Sequence, residues 1–394
     1  MPLLTLALGA LAQPAAFDSD AFDECVADLE DRARQRGVNE RWIARATSSL
    51  APLNRVIELD RSQPEFVQTF ATYLSARITE GRVAKGRELL ARHAEFLDGL
   101  VAQYGVPPRY LIAFWGLETN YGSYLGKVST LDALATLACD KRRSEFFAEE
   151  FVSAVRLMER DKLPPEQLQG SWAGAVGHTQ FMPSSYLRYA VDGDGDGQIN
   201  LWDSERDALV SGANLLRGAG WKPGLKWGRR VQLKPDFPFE MSGLSVVRDL
   251  SEWSDLGVTR VDGGPLPALD LPASLLLPAG HLGPAFLVYD NFRVIMRWNQ
   301  SQSYALSVGL LADRLAGAPA LRLPDAISQP LRRQDVESAQ RTLDGLGYDV
   351  GEADGVIGRR TRTALRAFQQ RTGLPADGYL DQATLKALDS TGTP

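Results

Sequence analysis

Glu118 stands in Trp115-Gly116-Leu117-Glu118-Thr119-Asn120-Tyr121-Gly122, at the end of an apolar stretch that begins at Pro107. Two prolines suit the first turn of a helix. Leu111, Phe114 and Trp115 lie seven, four and three residues before the carboxylate, so they share its helical face. Asn120-Tyr121-Gly122 then breaks the helix, with Gly122 the expected terminator. A charged carboxylate beside Phe and Trp is poorly solvated. That favours the protonated form, which a general acid needs near neutral pH. The alternative is a glutamate that reaches water at a helix end, as most acidic residues do. No second acidic residue stands in a comparable apolar setting.

A different chemistry is written in Asp192-Gly193-Asp194-Gly195-Asp196-Gly197-Gln198-Ile199-Asn200-Leu201-Trp202-Asp203. Acidic oxygens fall at loop positions 1, 3 and 5, and Gly197 sits at position 6, where the chain must turn sharply. Gln198 offers a backbone carbonyl at 7, Asn200 stands at 9 and Asp203 at 12. This is the EF-hand spacing, and oxygen ligands so dense repel one another without a cation. Asp in place of Glu at position 12 shortens the last ligand and predicts weaker binding or a smaller ion. The ion expected is structural, pinning a loop.

The stretch from Ser171 to Tyr186 mixes small residues with neutral polar and aromatic ones. Ser171, Gln180 and Ser184 can hydrogen-bond hydroxyls, and Trp172, Phe181 and Tyr186 offer flat faces. That suits a sugar; a tight Gly/Ala turn with its aromatics in the core fits equally well. Asp140-Lys141-Arg142-Arg143 ends a helix. Its guanidinium forks suit an anionic or carbonyl-rich ligand, while a solvated helix end is the plainer account. Tyr73 reads as core by its period. Asn299 and Tyr304 lie in a polar run inside a helix-like segment over 293–315, at even odds of facing a ligand. His178 lacks acidic or Cys partners at metal spacing and is read as lining or structural.

These residues need elements to hold them. The chain has 394 residues, 44% hydrophobic and 23% charged, which fits two or three globular domains. The net charge of −6 argues against a nucleic-acid protein. From residue 17 to about 105 the apolar period is helical, with a helix start at Gln63-Pro64-Glu65-Phe66. Short strands are expected over 221–238 and 265–288. Residues 1–16 form a short apolar run with small residues at its end, like a truncated secretory signal, and are too short to span a bilayer. No later segment reads as a transmembrane span, and the context of Cys25 is not that of a lipidation site. Cys25 and Cys139 could form one disulfide in an exported protein or remain buried thiols. Residues 317–330 read as a linker. Beyond it, Asp354-Gly355 and Asp377-Gly378 open two copies of one pattern and give a small three-helix binding module over 331–390.

Together, the Glu118 motif, the Ser171–Tyr186 stretch, the acidic loop and Asn299 with Tyr304 resemble the lytic murein transglycosylases of the MltB type. The terminal repeat resembles a peptidoglycan-binding domain. The resemblance implies a mainly α, lysozyme-like catalytic domain over 17–316, with a small β region and an EF-hand-like loop. It implies Glu118 as sole acid and base. It implies that Tyr73, Arg142, Arg143, Ser171, Gln180, Phe181, Asn299 and Tyr304 line a glycan groove. A structural Ca2+ held by Asp192, Asp194, Asp196, Gln198 and Asp203 is implied, with no organic cofactor. The implied substrate is the glycan strand of peptidoglycan, cleaved to a 1,6-anhydro end in the periplasm of a Gram-negative bacterium, with other cell-wall enzymes as expected partners. A hydrolytic muramidase and a non-catalytic wall-binding scaffold are the competing readings.

Overall fold

The computed structural model describes residues 19–61, 68–324 and 331–391. The apolar run at 1–16, the helix start at Gln63–Phe66 and the last residues of the 317–330 segment lie outside these. The fold is mainly α with two small antiparallel sheets. It divides into two compact units, one of Met1–Ser62 with Leu125–Arg188, the other of Gln63–Tyr124 with Tyr189–Pro394.

In the first unit the Thr130–Cys139 helix is buried along most of its length, and Ser129 caps it by accepting from the Asp132 N–H. It packs against the Ser144–Asp161 helix, which contributes Phe147, Phe151, Val155 and Met158. A disulfide joins Cys25 on the Ser19–Gln35 helix to Cys139, 114 residues apart, with Cα atoms 5.9 Å from each other. Strands β1 (Val128–Ser129) and β2 (Gln169–Gly170) pair in antiparallel register, Val128 opposite Gly170. There Gly126 (φ +91°) lies so close that a Cβ would stand 1.9 Å from the Gly170 carbonyl oxygen.

In the second unit the Pro108–Thr119 helix runs through the core, with every residue from Tyr110 to Leu117 buried. It packs against the Glu80–Arg92 and Gln302–Leu315 helices. The helix-like run over 293–315 is in fact two helices, Asp290–Trp298 and Gln302–Leu315. Between them Asn299 Oδ1 accepts the Ser301 N–H, and Ser301 Oγ accepts the Tyr304 N–H, so two short polar side chains end one helix and cap the next.

Strands β3 (Gly228–Leu233), β4 (Arg248–Asp249), β5 (Val258–Arg260), β6 (Pro272–Leu276) and β7 (Ala285–Val288) form an antiparallel sheet in the order β4-β6-β7-β3-β5. The short edge strands β4 and β5 escape a reading based on alternation, because two or three residues carry no period. After the sheet and its flanking helices, Arg333–Gly345, Arg359–Thr372 and Gln382–Thr391 make a three-helix module with its own core of Leu343, Leu365, Phe368 and Leu388. Gln340 and Gln369 are buried, and each accepts the glycine N–H of one Asp-Gly turn at 2.8 Å.

Candidate active site

Glu118 occupies the last turn of the Pro108–Thr119 helix and is half-buried. Three successive residues of positive φ follow it: Asn120 (+49°), Tyr121 (+60°) and Gly122 (+77°). The helix therefore ends at Asn120 rather than at Gly122. Asn tolerates the left-handed region because its short amide bonds locally. Its Oδ1 accepts from Arg82 Nε at 3.2 Å and its Nδ2 donates to Ser123 Oγ at 3.0 Å. Tyr121 is wedged back into the core. Its hydroxyl donates to the Arg82 carbonyl at 2.8 Å, and a Cβ on either Gly86 or Gly116 would collide with its phenol end. These contacts fix the chain that leaves the Pro108–Thr119 helix.

Tyr304 is a polar partner of Glu118, its hydroxyl donating to Oε1. Tyr304 is 4% exposed. Burial, then the nearby Glu118 charge, push its phenol well above its ordinary pKa, so it remains a donor throughout the working range. Phe114 stacks on Trp298 at 4.3 Å and lies 6.3 Å from the Tyr304 ring. Tyr73, 1% exposed, is near enough to act electrostatically on Tyr304, and the Arg77 guanidinium lies 5.0 Å from its ring centroid. Glu118, Tyr304 and Tyr73 are thus gathered by the structure, while Asn299 lies at the helix junction that presents Tyr304.

The other expected groove residues belong to the other unit and are described within it. Arg142 donates to the Asp60 carbonyl oxygen at 3.1 Å, and Arg143 is paired with the Asp60 carboxylate, which is buried. Ser171 Oγ accepts the Ala175 N–H at 3.2 Å, closing a tight loop in which Val176 and Phe181 exchange backbone hydrogen bonds. Gln180 adopts φ +48° and donates through Nε2 to the carbonyls of Leu125 and Gly177. Phe181 is 2% exposed, so its ring is largely core. His178 is buried and Tyr186 is fully so.

A second acid in an apolar setting does exist, against expectation. Glu150 is 5% exposed, and burial raises its pKa even though Ser184 donates to both its oxygens, from Oγ at 2.6 Å and from the backbone N–H at 2.9 Å. It escaped the sequence because its shield comes from Ser184, 34 residues away. Ser184 is thereby committed to Glu150.

In the acidic loop, Asp192, Asp194 and Asp196 bring carboxylate oxygens within 4.8 Å of one another. Gly197 turns the chain with φ +86°. Asp192 accepts the Gly195 and Gly197 N–H groups, which hold its pKa below the usual carboxylate range. Three anionic oxygens at this spacing fit a hard cation such as calcium. Asp203 lies outside the three-carboxylate cluster and accepts from Asn200 Nδ2 at 3.0 Å, while Gln198 donates its N–H to Asp196. The sequence pattern passed over Asp207. It is 1% exposed and braces both ends of the loop, accepting from the Gly193 and Asn200 N–H groups.

Residues 21–313, which carry this helical frame, match the family profile described as the transglycosylase SLT domain. The chain belongs to that family. Residues 332–388 match the profile of a peptidoglycan binding domain. The chain is 35% identical over 245 residues to the membrane-bound lytic murein transglycosylase B of Escherichia coli, a match covering 62% of this chain and 66% of that protein, just under two thirds of its length. It is similar in structure to SltB3 of Pseudomonas aeruginosa, solved with NAG-anhNAM-pentapeptide, at a TM-score of 0.84 and 42% identity, over 93% of this chain and 99% of that one. The Escherichia coli lytic transglycosylase Slt35, solved in complex with calcium, aligns at a TM-score of 0.65 and 32% identity, over 74% and 92% of the two chains. Among the described residues, no helix is long and apolar enough to cross a membrane.

Proposed function

We propose that this chain is a peptidoglycan lytic transglycosylase that cleaves the β-1,4 bond between N-acetylmuramic acid and N-acetylglucosamine. The observation that carries the reading is Glu118, half-buried at a helix end, with a buried phenol donating to its carboxylate. Glu118 protonates the glycosidic oxygen, and the C1–O bond breaks. Positive charge develops at C1 and is stabilised by the sugar's own acetamido oxygen. Glu118, now ionised, accepts the proton of the muramoyl 6-hydroxyl as that oxygen bonds to C1. The product is a 1,6-anhydro end, no water is consumed, and one carboxylate serves both steps. Tyr304 holds Glu118 in place. In this reading Tyr73 and Asn299 shape the surroundings of Tyr304, and Arg142, Arg143, Ser171, Gln180 and Phe181 contribute to holding the glycan.

The same reading places a catalytic domain over 17–316, a linker over 317–330 and a wall-binding module over 331–390. Asp192, Asp194 and Asp196 would hold a calcium ion that braces their loop, with Gln198 and Asp203 completing its shell. The cystine and a cell-wall substrate support export to an oxidising compartment, the periplasm of a Gram-negative bacterium.

The test is mass spectrometry of the material released from purified sacculi by the wild type and by Glu118→Gln. Anhydromuropeptides are expected from the wild type, with release reduced by about 10²–10⁴ in the variant, the range for a general acid–base group. Products heavier by one water would replace this reading with hydrolysis. Undiminished release by the variant would remove Glu118 from the mechanism.

A further inference from the structure

The C-terminal module meets the sheet region through an arrangement that neither fold needs for itself. The turn after β6 carries His281, whose N–H donates to Asp377 Oδ2 at 2.8 Å while its Nδ1 lies 2.8 Å from the same oxygen. The other oxygen of Asp377 accepts from Gln369 Nε2 at 3.1 Å and from the Tyr379 N–H at 2.8 Å. The Asp377 side chain is 2% exposed. Gly280 has φ +73°, and a Cβ there would stand 3.0 Å from both Asp377 Oδ2 and Tyr379, so the approach requires glycine. Arg366 spans the same junction, donating to the Asp377 carbonyl at 3.2 Å and reaching Ser242 Oγ at 3.5 Å. The Phe239 ring lies 5.4 Å from the imidazole.

The module supplies its own comparison. Its first Asp-Gly turn is built in the same way, with Gln340 accepting the Gly355 N–H and donating to Asp354. There Asp354 is exposed. An Asp-Gly turn of this module therefore forms with its aspartate in water. The burial of Asp377 belongs to docking rather than to the fold of the turn.

We infer that His281 and Asp377 form a proton-sensitive clasp that fixes the C-terminal module on the sheet region and loosens as pH rises. Asp377 and Asp381 act on His281; Arg362, Arg366 and the Tyr379 phenol stand near Asp377; and Glu240 acts on Arg366. The hydrogen bond to Asp377 raises His281 above its ordinary pKa of 6.5, burial opposing it and the charges of Asp377 and Asp381 adding to it. Burial pushes Asp377 up, but the His281 and backbone N–H bonds outweigh it and leave the carboxyl below its usual range. The charge contribution is thus complete below the ordinary histidine pKa and is lost as pH rises through the docked value. At the acid end it is lost as pH falls through the depressed value of Asp377. The His281 backbone N–H, which also donates to Asp377, does not titrate, so it opposes release of the module without itself depending on pH.

The clasp does not depend on the catalytic reading, and its test does not use activity. The full chain has three histidines, so NMR of a ring-labelled sample resolves each titration. Small-angle scattering from pH 5.5 to 9 then follows the module. His281 is expected to titrate above 6.5 in the wild type and to return towards it in Asp377→Asn. The docking constant should fall about tenfold for each pH unit separating the docked and free histidine values, visible as a growing radius of gyration. His281→Gln should show no pH dependence of its dimensions, with circular dichroism confirming its fold. An ordinary pKa for His281 in the wild type overturns the proposal. So do wild-type dimensions that stay constant across the range.

Discussion

Replacing Tyr304 by Phe removes one oxygen from the centre of the proposed chemistry and leaves the ring in place. The phenol stays protonated throughout the working range, so what is lost is a donor to Glu118. A hydrogen bond to a charged group contributes about 1.5–3 kcal/mol net. Fully expressed in the transition state, that is roughly a factor of 10–150 in rate. Glu118 is half-buried, so water can replace part of the lost donation, and the low end applies: about tenfold in kcat/KM. The ring keeps its place beside Phe114, and stability should fall by no more than about 1 kcal/mol. Because the donor favoured the charged carboxylate, the alkaline limb of the pH–rate profile should move to higher pH. The assay is the initial rate of anhydromuropeptide release, measured across pH on sacculi. If the tyrosine instead held substrate, KM would rise with kcat unchanged. A kcat/KM within twofold of wild type, with an unmoved pH profile, would refute the positioning role.

Three further outcomes follow from the same structure. Cys25→Ser with Cys139→Ser opens a cross-link between residues 114 apart, and denaturation should show a loss approaching about 4–5 kcal/mol, with reductant affecting only the wild type. Calcium should raise the wild-type melting temperature, by the equivalent of about 2.7 kcal/mol at a hundredfold excess over Kd. Asp192→Asn should flatten that response, and an equal calcium response in the two proteins would reject the metal site. Gly309→Ala would set a Cβ 2.3 Å from the buried Trp227 ring, so overpacking of about 1–3 kcal/mol should exceed any gain in helix propensity and show in thermal unfolding.

What a local pattern could carry was legible in the chain. The apolar stretch ending at Glu118, the alternate acids of the 192–203 loop and the doubled Asp-Gly turns each encode their geometry within about a dozen residues, which is the reach of helix periodicity and turn chemistry. That reach also explains the misreadings. The helix breaks at Asn120-Tyr121-Gly122 as expected, but its left-handed cap is Asn120 rather than Gly122, because Arg82, 38 residues away, holds Asn120 and takes the hydroxyl of the half-buried Tyr121. The continuous helix over 293–315 is two helices because Asn299 and Ser301 compete for backbone groups, which apolar period does not register.

Tertiary structure alone decided which polar groups meet. Glu118 and Tyr304 are 186 residues apart, Ser184 shields Glu150 across 34, and Asp377 finds His281 across 96. The residue types were visible, but their pairing was not. A carboxylate's chemistry depends on what replaces its water, and that is fixed only when distant segments pack. The sequence thus determined where an acid, a cation loop and a wall-binding module could stand. The packed chain decided which carboxylate meets a phenol, which meets a serine and which meets an imidazole.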